Sequence, residues 1–101
     1  MTARNISLAV NGKAIAMDRF TSSFVASVVT GILQALKTPV VAGRVGLTIT
    51  GQEVDIKVGQ ESVPLNPFVN DFVLNTVTGM VSSLRDVDMP VNTMVLELDL
   101  F

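Results

Sequence analysis

The sequence predicts an α+β domain: a tandem ββαβ repeat whose six strands form one mainly antiparallel sheet, with two helices on one face. Three observations predict it. A shift of 48 positions lays residues 6–37 on residues 54–85 without a gap. Within each copy the apolar spacing changes from two to about 3.6 and back to two. Turn and cap residues fall where the spacing changes.

The shifted halves share Val10/Val58, Phe20/Phe68, Phe24/Phe72, Val25/Val73, Val29/Val77, Thr30/Thr78, Gly31/Gly79 and Leu36/Leu84. Those eight identities among 32 pairs compare with roughly two or three expected from so Val-rich a composition. Ile6/Val54, Leu8/Ile56, Ile15/Val63 and Met17/Leu65 exchange one apolar residue for another. The pattern is read as an internal duplication within one domain spanning residues 1–101, with repeats at about 4–50 and 53–101.

In the first repeat, Ile6, Leu8 and Val10 alternate with polar or small residues, as in a half-buried strand. Asn11-Gly12 suits a two-residue hairpin turn, because both residues accept positive φ. Lys13 to Met17 is the return strand. Val54, Ile56 and Val58, Gly59-Gln60, then Val63 and Leu65 repeat this pattern. Helices follow. Asn66-Pro67 is a cap followed by a proline suited to the first helical position, and Asp18-Arg19 stands at the equivalent place. Phe20, Phe24, Val28, Ile32 and Leu36 recur every four residues beside Val25, Val29 and Leu33. Such rows predict wide apolar faces lying on a sheet. Lys37 and Arg85 are expected at the helix C-termini, where the dipole favours positive charge. Loops at Thr38-Pro39 and Asp86 to Pro90 lead into strands around Val45–Ile49 and Thr93–Leu100, where the repeat register slips by one residue. Leu100 and Phe101 fall on opposite strand faces, and Gly51-Gln52 joins the halves as a further tight turn. The expected strand order is a single pseudo-two-fold sheet. A swapped arrangement, in which the halves trade strands, is the alternative.

Composition narrows the function. The chain is 49% hydrophobic and 16% charged, with net charge −2 and neither His nor Cys. No thiolate chemistry, disulfide or Cys-ligated metal is possible, and the commonest general base is missing. A weakly acidic balance argues against a nucleic-acid surface. The apolar stretch Phe20–Leu36 carries Thr21, Ser22, Ser23, Ser27, Thr30 and Gln34, so a buried helix is expected rather than a membrane span. The N-terminus shows no signal-peptide pattern, so a cytoplasmic location is expected.

No constellation points to catalysis. The serines have no His to activate them, and the phosphate-binding patterns GxGxxG and GxxxxGK[ST] are absent. Asp86-Val87-Asp88 lacks EF-hand spacing and is read as an acidic turn; no metal and no cofactor are expected. Small residues mark each helix: Ser23, Ser27, Gly31 and Ala35, then Asp71, Asn75, Gly79 and Ser83. Glycine inside a helix costs about 1 kcal/mol relative to Ala. Gly31 and Gly79 are therefore assigned to helix packing. The functional alternative is a ligand cleft at the seam, lined by Thr30, Thr78 and Asn75.

The segment Val63-Pro64-Leu65-Asn66-Pro67-Phe68-Val69, followed by Thr78-Gly79-Met80-Val81-Ser82-Ser83-Leu84, resembles a segment of small prokaryotic proteins. It also resembles the tail of archaeal chains of the molybdopterin-guanine dinucleotide biosynthesis type. The resemblance covers about residues 54–85 and contains no catalytic motif. It implies an accessory or interaction module. The expected function is accordingly a non-enzymatic protein–protein interaction module, self-associating as a homodimer or part of a larger complex. Binding of a small molecule at the seam is the alternative.

Overall fold

The structure is a computed structural model that describes residues 3–38 and 43–100. Pro39, expected in the loop after the first helix, and Phe101, expected opposite Leu100, lie outside the described residues. The elements run β1 (Ala3–Val10), β2 (Lys13–Ala14), α1 (Arg19–Ala35), β3 (Gly43–Thr50), β4 (Glu53–Val58), β5 (Glu61–Ser62), α2 (Pro67–Ser82) and β6 (Thr93–Leu100). The class is α+β, and every strand pair is antiparallel.

Local chemistry sets the boundaries. Asn11 and Gly12 adopt φ of 52° and 80°, the left-handed pair that a tight β1–β2 turn requires. Gly51 and Gly59 supply positive φ at the other hairpins. The return strands are shorter than expected: β2 and β5 keep two residues each, followed by single backbone bonds from Ile15 N–H to the Leu8 carbonyl and from Val63 N–H to that of Ile56. Both helices start on a side-chain cap. The Asp18 carboxylate accepts from Thr21 N–H at 2.7 Å, and Asn66 Oδ1 accepts from Val69 N–H at 2.8 Å. The C-terminal expectation is corrected: no basic residue lies in either last turn. Lys37 instead follows the cap of α1 at φ 56°. There its N–H donates to the Gln34 carbonyl and Thr38 N–H donates to that of Leu33, a Schellman closure.

The strand order is β2-β1-β6-β3-β4-β5. The sheet is single, and the halves trade strands within it. The last strand of the first half, β3, pairs with β4; the last strand of the second half, β6, pairs with β1. The two traded strands pair with each other at the centre, Leu47 opposite Leu96. Exchanging the halves reverses the strand order onto itself. The hairpin registers follow the same exchange, with Ala9↔Ala14 in one half and Lys57↔Ser62 in the other.

Side-chain alternation puts Leu8, Val45, Leu47, Ile49, Ile56, Leu96 and Leu98 on one sheet face, where they are buried. Val25, Val29 and Leu33 of α1 and Val73, Val77 and Val81 of α2 close over them. Burying each such side chain contributes roughly 1.5–3 kcal/mol. No polar or charged residue among those described is buried. The thinnest dimension of the fold is 19 Å, which accommodates one helix layer on one sheet. Each layer therefore keeps an outer face at the surface.

Here the apolar rows read from the sequence divide. The valine-rich row lies on the sheet. Phe20, Phe24, Phe68 and Phe72, expected on the buried face, stand on the outside. A sheet covers only part of an apolar arc this wide, and the remainder is left uncovered.

Candidate functional site

The outer face of the helix layer is the candidate site. Phe20 is 74% exposed, Phe24 52%, Phe68 73% and Phe72 64%. Residues four apart on a helix share a face, and each pair stacks at a centroid distance of 6.0 Å with tilted planes. Such a tilted contact is a favoured aromatic geometry, so each pair forms one ridge.

Two apolar grooves lie between the helices. One, of about 460 Å³, runs between the C-terminal half of α1 (Val28, Gly31, Ile32) and the N-terminal half of α2 (Phe68, Phe72). The other, of about 300 Å³, sets Phe20 and Phe24 against Met80, Ser83 and Leu84. The helices are thus antiparallel neighbours. Ile32/Met80, Ala35/Ser83 and Leu36/Leu84 line corresponding sides of the two grooves, 48 positions apart.

The helix-packing assignment of Gly31 and Gly79 is corrected by this geometry. Both are exposed, and a Cβ built on either would meet nothing within 4 Å. Among the described residues no close approach requires them. Gly31 instead leaves bare backbone on the wall of the larger groove.

The residues assigned to a seam cleft are placed as follows. Thr30 lines the opposite flank of α1, in a polar groove of about 410 Å³ with Ala3, Ile6, Arg19 and Ser27. Its hydroxyl donates to the carbonyls of Ala26 and Ser27 at 3.0 and 3.1 Å. Thr78 is half-buried and Asn75 exposed on α2, and neither lines the grooves between the helices. None of these grooves brings the three together.

Polar chemistry concentrates on the open sheet face. Arg44 Nη1 donates to Asp99 Oδ1 at 2.9 Å, and Arg44 Nη2 lies 3.5 Å from Glu97. Asn5, in a left-handed bulge of β1, donates to the other Asp99 oxygen at 2.9 Å. The Asn5 amide, then the Arg44 guanidinium, hold the Asp99 carboxyl below the usual carboxylate range. Asp18 is lowered as well, by hydrogen bonds from Thr21 at the helix cap. These groups are fixed by one another.

The acidic turn is held by its backbone. The Asp86 carbonyl accepts from Lys13 Nζ, and those of Asp88 and Pro90 accept from Asn11 Nδ2. Asn11 Oδ1 accepts in turn from the N–H groups of Asn92 and Thr93. One turn asparagine thus binds the loop leading into β6. Among the described residues no three Asp or Glu gather into a metal-holding cluster, and no helix is long and apolar enough to cross a membrane.

No protein-family model matches the sequence, and no curated protein or solved structure matches it.

Proposed function

We propose that this protein is a non-enzymatic interaction module, built from a duplicated ββαβ unit, that docks a protein partner on the outer face of its helix layer. One observation carries the reading. Four Phe side chains, at positions repeated between the halves, are more than half exposed on helices almost free of charge. Between Arg19 and Lys37 the first helix has no charged residue, and between Pro67 and Arg85 the second has only Asp71. Taking about 200 Å² for a free Phe side chain, the four rings leave roughly 500 Å² in water. That lies within the range of the largest apolar patch on a typical monomer, which is often functional.

The grooves suit a protein surface better than a small ligand. Ligand pockets set a few convergent polar groups among apolar walls. Thr76 is the one hydroxyl on the larger groove and Thr21 and Ser83 those on the smaller, while Thr30 lies on the far flank.

Hydroxyl-radical footprinting of the protein inside cells tests this reading. Protection of the four Phe rings is expected while Met89, 57% exposed in the loop between α2 and β6, stays reactive. Rings as reactive as Met89 would overturn it.

A further inference from the structure

We propose that the partner on the helix face is a second copy of this chain, laid face to face so that each Phe pair enters a groove of the other copy. This rests on the docking reading above and adds the identity of the occupant.

Shape is the first argument. The face presents two ridges, Phe20/Phe24 and Phe68/Phe72, and two grooves between the helices. A closed two-fold interface must be self-complementary, because the same patch serves both sides. This patch carries protrusions and recesses in equal number.

Charge is the second. A patch of one sign repels its own copy. Here the ridges and grooves are lined by uncharged residues, so like can meet like without Coulombic cost. The same lack of charge disfavours an anionic lipid surface, which selects helices rich in Lys and Arg.

Area is the third. A standard interface buries about 800 Å² on each partner. The four rings supply roughly 500 Å² of that, and the apolar groove walls beside them extend the patch.

The sheet edges offer a poorer route. β2 and β5 are two residues long and carry Lys13 and Glu61. Short, charged edges resist strand pairing between chains. Gly31 also acquires a purpose: backbone without a side chain leaves room in the groove for an incoming ring.

Sedimentation equilibrium of the purified protein tests the proposal, from about 1 to 100 µM, at or above the µM-to-pM dissociation constants of standard interfaces. The expected result is a species of twice 10.8 kDa. Phe24→Ser with Phe72→Ser should weaken association by at least about 100-fold, as loss of buried aromatic anchors does, with an unchanged circular dichroism spectrum. Phe20→Ser with Phe68→Ser is the second variant, should the first not fold. Gly31→Leu should also weaken association, by filling the groove, whereas Val95→Ser on the sheet face should leave it unchanged. A dimer that persists in both Phe variants overturns the proposal. So does a purified chain that stays monomeric at the highest concentration, or one that is monomeric and floats with phosphatidylcholine vesicles. A purified monomer whose rings are protected only inside cells refutes the second copy and leaves the docking face standing. Rings reactive in both settings refute both.

Discussion

The two broad faces of this molecule are both open to water and differ in what they show it. On the sheet face, Arg44, Glu97, Asp99 and Asn5 satisfy one another. On the helix face, Phe20, Phe24, Phe68 and Phe72 stack in pairs and stay more than half exposed. A solvated face settles its polar groups locally. A face that leaves large rings exposed while valines on the same helices are covered is what the proposed docking surface rests on.

Substitutions can break this contrast. The largest effect is expected from comparing Leu33 with Phe24, both on α1. Leu33 is fully buried, so Leu33→Ala should destabilise the fold by about 3 kcal/mol. Phe24→Ala should cost the monomer less, about 1 kcal/mol, for the lost stack on Phe20 and the covered part of the ring. Urea unfolding followed by circular dichroism in dilute solution would separate them, and equal losses would mean that Phe24 belongs to the core.

Next come the glycines. With open space around each Cβ, Gly31→Ala and Gly79→Ala should each raise monomer stability by roughly 0.5–1 kcal/mol. A loss in thermal unfolding would reveal a packing role the structure does not show.

The smallest effect concerns the sheet face. The Asp99 and Asp18 carboxyls are lowered in the folded state. Their contribution is therefore complete above the unfolded value, about 3.9 for Asp. It is lost as pH falls through the lowered folded values. Asp99→Asn should shrink the stability lost on acidification from neutral pH to about 2.5, and added salt should shrink it further. An unchanged acid limb would show that the Arg44–Asp99–Asn5 cluster contributes nothing measurable.

Much of the fold was legible because its boundaries are made by local chemistry. The Asn11-Gly12 turn and the Asp18 and Asn66 caps are each set within three residues. The trading of strands was legible only as an alternative, because β3 and β6 alternate in the same way whichever hairpin they join. The candidate site was misread for a related reason. Helical spacing shows how wide the apolar arc is, and only the sheet decides which part of it is covered. Val29 and Phe24 both belong to that arc, yet one is buried and the other exposed. The clamp by Asn11 on residues 88–93 joins distant segments and leaves no periodic trace. One signal was available: Phe recurs at both repeated pairs, whereas the buried rows are mostly valine.

The traded strands also set the order in which the protein can be made. Ala3 at the start of β1 lies opposite Leu100 at the end of β6. A chain emerging from the ribosome can close the β1–β2 hairpin and the β3–β4–β5 meander early. The two pieces have no common strand until residues 93–100 arrive. Until then β1 and β3 each hold out an unpaired backbone edge toward the place β6 will fill. Completing this sheet thus waits for β6, the one strand that joins the two pieces lying on either side of it.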